Sequence, residues 1–213
     1  MTKYAGRQLV LSIAAPPLAV TSVASTDLFT TATHGFVAGD GVIFSPLTTG
    51  GAGLVAGKRY YVIAAGLTTT VFAVSATPGG SSFDHTSNIT AGSVQKVNAV
   101  GQVVALGSAG SSRDLIDASA YGDDWKDYVV GQQDGSELDC DLAYDPLLTG
   151  HVAMSAAYIA GTAKFFSMYH QPSAFDISFP ALVTKWERGA DKDGLLTASA
   201  SLKILNPGVT DTP

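Results

Sequence analysis

The stretch "SELDCDLAYDP", residues 136–146, alternates acidic and apolar residues along most of its length. Glu137, Asp139 and Asp141 fall at i, i+2 and i+4, with Leu138, Cys140, Leu142 and Tyr144 at the intervening positions. Successive side chains of a strand point to opposite faces, so a period of two is a half-buried β-strand with one acidic and one apolar face. Cys140 then belongs to the apolar face as a small packing residue, not a reactive thiol. The acidic row is a solvated or lumen-facing surface. A calcium site is the sharper alternative, but no EF-hand spacing is present and acids along a flat strand do not converge on one ion.

The same period recurs along the chain. Leu9, Leu11 and Ile13 share a face, as do Phe175, Ile177, Phe179, Ala181 and Val183. Leu196, Ala198, Ala200, Leu202 and Ile204 face one way while Thr197, Ser199, Ser201 and Lys203 face the other. This is the pattern of antiparallel sheet with one wet side. One stretch departs from it: in "DPLLTGHVAMSAAYIAG", residues 145–161, the spacing predicts a helix capped by Asp145, with Pro146 in its first turn and Gly161 after its end. Leu148, Val152, Ala156 and Ile159 recur at helical spacing and are expected to face the core.

Residues 16–96 have a different texture. They open on "PP", and the short β-like runs "LFTTAT", "GVIFS", "RYYVIAA" and "TVFAVSA" are separated by glycine-rich turns. They lie between "QLVLSI" and "VNAVGQVVAL", two runs that would otherwise form a plain hairpin. An inserted small all-β domain is expected there, with residues 1–15 and 97–213 forming the parent domain.

Composition narrows the function classes. The 213 residues are 46% hydrophobic and 14% charged, with 23 glycines, which suits a packed chain with a weakly charged surface fit to meet other protein. Twelve Lys and Arg against 18 Asp and Glu give a net charge of −6, the wrong sign for gripping phosphates. One cysteine excludes an internal disulfide. No apolar run is long enough for a membrane span, and the N-terminal apolar segment is too short and strand-like for a signal peptide.

Signatures of catalysis are absent: there is no HExxH, GxSxG, P-loop or GxGxxG after a strand. His34, His85, His151 and His170 are dispersed, and Asp84 beside His85 reads as polar surface. A metal-assisted hydrolase would have to use Asp139, Asp141 and His151. Tyr60, Tyr61 and Phe72 could stack on a sugar, although alternating aromatics in a small β-module more often form its core.

The segment "SSRDLIDASAYGDDWKDYVVGQQDGSELDCDLAYDPLLTGH", residues 111–151, carries a resemblance. Ser112, Arg113, Ile116 and Asp117 form its first part; Trp125, Lys126, Val129, Val130 and Gly131 its second; Asp134, Gly135, Glu137, Asp145 and Pro146 its third. In this pattern, continued through "KFFSMYH", "FDISFPALVTKWE" and "KDGLLTASASLKIL", the chain resembles the major tail tube proteins of long-tailed, siphovirus-type bacteriophages. The resemblance covers roughly residues 5–14 and 97–206, and the insert is a departure from the shorter members of that family.

The resemblance implies a mainly β fold, an antiparallel sandwich or half-barrel with one flanking helix, and homohexameric rings stacked around a DNA channel. It implies a non-enzymatic virion protein made in the host cytoplasm, with no cofactor or metal and no membrane contact. Its partners would be further copies of itself, the tape measure protein, the tail terminator and distal tail or baseplate proteins, while DNA passes without specific binding. The long loop around Arg113, Asp117, Trp125 and Lys126 would then contact neighbouring subunits and rings. A large indole beside "DD" and "KD" must hide its ring, so Trp125 is expected to be a buried anchor at the base of that loop, against the core or a neighbour. Glu137, Asp139 and Asp141 would line the lumen. The competing reading is a carbohydrate-binding or host-adhesion module carried on the insert.

Overall fold

The computed structural model describes residues 9–49, 53–121, 124–170, 175–190, 194–205 and 210–212. The fold is mainly β with antiparallel pairing and one α-helix. The described residues fall into two compact units, one within Met1–Gly101, Phe166–Ser178 and Asp211–Pro213, the other within Gln102–Phe165 and Phe179–Thr210.

The first unit begins with β1 (Leu9–Ala14), β2 (Leu18–Val23), a 3-10 turn (Ala24–Thr26) and β3 (Leu28–Thr31). It continues through β4 (Gly41–Thr49), β5 (Arg59–Ile63), β6 (Val71–Ser75) and β7 (Ile89–Ala99). The order β2-β3-β6-β5-β4-β7 closes because β7 also pairs with β2, giving a six-stranded antiparallel barrel with no open edge. Inward alternation fills it: Phe29, Val42, Phe44, Tyr60, Val62, Phe72 and Val74 are all essentially dry. Phe29 lies opposite Phe72 in the ladder, with ring centroids 5.3 Å apart, and its other side meets Phe44 at 5.1 Å. Burying each such ring contributes roughly 2–3 kcal/mol. Tyr60 and Phe72 are therefore core, while Tyr61, the third candidate for stacking on a sugar, is half-buried with its ring 6.2 Å from that of Tyr169.

The last residues of β7 leave the barrel to pair with β1, Ser12 opposite Ala99 and Ala14 opposite Val97, and Ala15 N–H donates to Lys96 O at 2.8 Å. On its other side β1 pairs with β12 (Lys164–His170), Leu11 opposite Met168. Arg59 joins these strands to the barrel: its Nη2 donates to Ser12 Oγ (3.0 Å) and Ser167 Oγ (2.5 Å), and its guanidinium lies 5.0 Å from the Tyr169 ring centre. Its Nε is 3.5 Å from Asp176 Oδ2, with both side chains nearly excluded from water.

Asp176 explains a departure from the sequence pattern in β13 (Phe175–Ala190). Phe179, Ala181 and Val183 face inward as expected, but before them it is Asp176 and Ser178 that are buried, while Ile177 is half-exposed. The buried parity changes between Ser178 and Phe179, where the strand passes from one unit to the other. A polar residue occupies the inner face there because Arg59 meets it.

The second unit holds β8 (Val103–Leu106), β9 (Ser111–Asp117), β10 (Tyr128–Gly135), β11 (Glu137–Ala143), α1 (Thr149–Ala160) and β14 (Leu196–Ile204). Its sheet runs β13-β14-β11-β8, while among the described residues β9 and β10 pair only with each other. Cys140 lies opposite Ala200, which lies opposite Trp186, and these with Leu138, Leu142 and Leu202 form the apolar face. Burial pushes the Cys140 thiol up to about 12, so it is a packing residue.

The helix differs from expectation in two respects. It begins at Thr149 with Leu148 as its uncapped N-cap, because the Asp145 carboxylate accepts from Leu147 N–H (2.9 Å) in a tight turn instead of capping the helix. Gly161 does close it, in the left-handed conformation (φ 58°). The buried face is Gly150, His151, Met154 and Ala157, not Leu148, Val152, Ala156 and Ile159. His151 Nδ1 accepts from Asp145 N–H (3.0 Å), which holds that side chain inward and turns the expected stripe outward.

Candidate functional site

Strands β9 and β10 make a two-stranded arm from a segment that sequence alone suggested was a long loop. Asp117 lies opposite Tyr128, Ile116 opposite Val129 and Leu115 opposite Val130. A bulge follows, after which Arg113 faces Gln133 and Ser111 faces Gly135. Opposed residues share a face, so Leu115, Val130 and Tyr128 line one side of the outer half and Ile116 and Val129 the other. All five are about half-exposed or more, Leu115 at 65%. The inner half is polar: Arg113 Nη2 donates to Gln133 Oε1 (3.3 Å), and Gln133 Nε2 donates to Ser111 Oγ (2.7 Å).

The tip is organised by Ser119. Its N–H donates to Asp117 Oδ1 (3.0 Å), its hydroxyl accepts from Asp127 N–H (2.9 Å), and Ala118 N–H donates to Asp127 O. These bonds from Ser119, with Lys126 Nζ 3.7 Å away, hold the Asp117 carboxyl below the usual range. Trp125 is 87% exposed, so of the two places expected to hide its ring, the core or a neighbour, the core of its own chain is not the one: the turn around Ser119 carries the indole outward at the arm's tip, not its base.

The root is fixed by close approach. A Cβ on Gly135 would collide with the carbonyl of Ile204, so only glycine lets β10 pass that strand. Lys203 Nζ donates to Gly135 O (2.7 Å) and Asp134 Oδ2 (2.8 Å). Ser136 N–H donates to Gly110 O, and Ile204 N–H to Ser136 O.

Glu137, Asp139 and Asp141 occupy one exposed face of β11, opposite Leu138, Cys140 and Leu142. Each carboxylate has a cross-strand hydroxyl: Ser199 donates to Asp141 (2.7 Å), Ser201 to Asp139 (2.5 Å) and Thr184, at a bulge in β13, to Glu137 (3.2 Å). The face is not purely acidic. Lys203 lies opposite Glu137, and Lys185, opposite Ser201, sits 3.0 Å from Glu187. Glu187 raises the Lys185 ammonium most, with Asp139 and Asp141 adding to it.

The structure does not bring the hydrolase candidates together. His151 is fully buried beside Tyr144, whereas Asp139 and Asp141 are exposed. Among the described residues, no group of three or more His, Cys, Asp and Glu is placed to hold a metal ion. Asp84 is exposed while His85 is buried against Phe29, so those neighbours do not act as a pair. Among the described residues no helix is long and apolar enough to cross a membrane.

No protein-family model and no curated protein matches the chain. Solved structures similar to it include a chain from the tail of an empty gene transfer agent particle, refined helically with C6 symmetry. That similarity has a TM-score of 0.47 at 10% identity, over 55% of this chain and 87% of that one. A chain from the virion of a native gene transfer agent particle gives 0.47 at 9% identity, over 55% and 89%.

The residues that shape the arm were only partly visible beforehand. Ile116, Val129, Val130, Arg113, Asp117, Trp125 and Lys126 stood out in the sequence, but Leu115 and Tyr128 did not, nor did Lys203 at the root. The signal for the first two is that Leu115-Ile116 and Tyr128-Val129-Val130 are short runs of consecutive apolar residues, three of them β-branched, on either side of a turn-rich stretch. Lys203 could be found only once β14 was aligned with the end of β10.

Proposed function

We propose that the chain is a structural protein of a phage-like tail, its copies joining in hexameric rings that stack into a tube for DNA. The observation that carries this reading is the arm. A two-stranded hairpin is marginal alone in water, and this one exposes apolar side chains on both faces. Leu115, Tyr128 and Val130 on one face, Ile116 and Val129 on the other and Trp125 at the tip are all exposed, so the arm's own chain covers neither face. A surface of that kind calls for partner protein, and the sequence resemblance names the partner as further copies. Arg113, Asp117, Trp125 and Lys126 then lie at contacts between subunits.

In this reading the face bearing Glu137, Asp139 and Asp141 lines the channel, where its acids keep phosphates from adhering. Residues 16–96 are an accessory domain inserted into the tube domain. The tape measure protein, tail terminator and distal tail or baseplate proteins meet the tube along its length and at its ends. Of the aromatics that the adhesion reading would use, Tyr60 and Phe72 are spent on the barrel's core.

Native mass spectrometry and negative-stain microscopy over a range of protein and salt concentrations test the proposal. Rings of six, and tubes at high concentration, are the expected result. A chain that remains monomeric throughout refutes it.

A further inference from the structure

The outer face of the barrel carries a contact unlike its interior. In β5, Tyr60 and Val62 point into the core, so Arg59 and Tyr61 point out, where β1, β12 and the first residues of β13 meet them within the same unit. Arg59 alone reaches all three strands. Its Nη2 donates to Ser12 of β1 and Ser167 of β12, which lie opposite each other in the ladder, its guanidinium lies against Tyr169, and its Nε faces Asp176 of β13. A planar fork meets all of those groups in a single placement, which fixes this layer of strands against the barrel.

The same contact is costly to close. Asp176 and Ser178, two apart and so on one face of β13, are 4% and 1% exposed. Ser178 Oγ nevertheless has no hydrogen-bond partner among the described residues, and at 3.5 Å Arg59 Nε is too far from Asp176 for the short charge-assisted bond that offsets desolvation. Parting the strands would return these groups to water.

We propose that this joint is a latch: β1, β12 and the start of β13 part from the barrel's outer face together, with Arg59 holding the closed position, while the barrel stays folded. Three observations support it. One side chain makes the directional contacts, so its loss frees the whole layer. Opening rehydrates buried polar groups and therefore costs less than parting an apolar face of equal area. The barrel, finally, closes through β2 and β7 around a core cluster to which β1, β12 and β13 contribute no residue. β1 remains tied to the end of β7, Ala14 opposite Val97, so the layer turns about that edge instead of detaching. Every residue involved lies in one unit of one chain, so the latch does not depend on self-assembly.

The test is thiol labelling of the full-length protein with excess maleimide, read site by site by peptide mass spectrometry. Ser178→Cys puts a thiol of similar size in the joint, where no hydrogen bond is lost, and Val74→Cys puts one inside the barrel. With Arg59 in place, the joint thiol is expected to react at least about tenfold faster than the barrel thiol, because it needs only the smaller opening. Arg59→Lys keeps the charge beside Asp176 but not the fork, and is expected to speed the joint thiol by about tenfold more while leaving the barrel thiol unchanged. Equal rates at the two sites with Arg59 in place would mean that the joint opens only when the barrel unfolds, and would overturn the latch. Acceleration of both thiols alike, or of neither, by Arg59→Lys would overturn Arg59 as the holding residue. The first comparison needs no change at Arg59, so it decides even where Arg59→Lys fails to fold.

Discussion

Arg59 Nε lies 3.5 Å from Asp176 Oδ2, and both side chains are nearly dry. The contact joins a barrel strand to the start of β13 inside one unit, and burial raises the Asp176 carboxyl above its usual range while Arg59 and Ser167 pull it back. Arg59→Met leaves that carboxylate without a counter-ion and should cost about 3–5 kcal/mol at neutral pH. The sign of the pH dependence follows from the raised carboxyl. In the folded variant Asp176 keeps its proton to higher pH than in the unfolded chain, where it ionises near pH 4. The deficit relative to wild type should therefore be small below that value and grow as pH rises through the window. Urea melts at several pH values check this; a pH-independent deficit would remove Asp176 from the account, and Arg59→Met with Asp176→Asn should recover part of the loss.

Trp125→Ala should leave the monomer's stability within about 0.5 kcal/mol of wild type, because the indole is exposed in its own chain. Its effect should appear in assembly, as a higher concentration threshold for rings. A large fall in the melting temperature of the monomer would show that the ring packs against its own core after all.

Gly135→Ala forces a methyl group into the carbonyl of Ile204, and either strand must shift. The expected cost is roughly 1–3 kcal/mol or more. Lys203→Met, which keeps the stem but loses both hydrogen bonds at the root, should cost less and chiefly loosen the arm. Amide exchange would report this as faster exchange across β9 and β10 with β11 and β14 still protected. Uniformly protected strands would mean that Lys203 does not hold the root.

Replacing Glu137, Asp139 and Asp141 together by Lys tests the channel assignment. These side chains are exposed, so the sheet should fold, although the hydroxyl donors Thr184, Ser201 and Ser199 lose their acceptors. If this face lines the bore, assembled tails should release DNA slowly, and high salt should relieve the defect by shortening the range of attraction to a few Å near 1 M. Normal release from correctly assembled tails would make these acids ordinary surface.

The closed barrel should fold without the rest of the chain. A fragment of residues 16–99 retains all six strands and the aromatic cluster. A dispersed amide spectrum and a cooperative melt are expected; a collapsed, non-cooperative fragment would show that Ser12, Ser167 and Asp176 are required to shape it.

Much of this was legible in the sequence because period-two alternation survives wherever one face is wet. β11 was readable residue by residue, and Phe29, Tyr60 and Phe72 sit inside as alternation requires; β14 follows its pattern except that Leu196, at its start, is 44% exposed and Ser201, opposite Asp139, is buried. The failures have physical causes. β13 changes its buried parity at Ser178, where a salt-bridged Asp176 displaces Ile177 from the inner face. The helix carries two apolar stripes, and spacing alone cannot say which one is covered; His151, a polar residue, marks the buried side through its bond to Asp145. The arm reads as a loop in the sequence because "GSAGSS" and "DASAYGDD" flank its strands with turn-forming residues. Barrel closure through β2 and β7 was not legible, since strand order depends on tertiary pairing that local pattern does not encode.

An arm with bare apolar faces and two unpaired strand edges is also a hazard for a protein made in many copies at once. Newly synthesised chains waiting for partners could join edge to edge and form cross-β aggregates. The bulge between Val130 and Gln133 interrupts the flat ladder such stacking needs, and Arg113, Asp114 and Lys126 flank the apolar residues as gatekeepers. Straightening the bulge would be expected to raise the yield of inclusion bodies before it altered any finished particle.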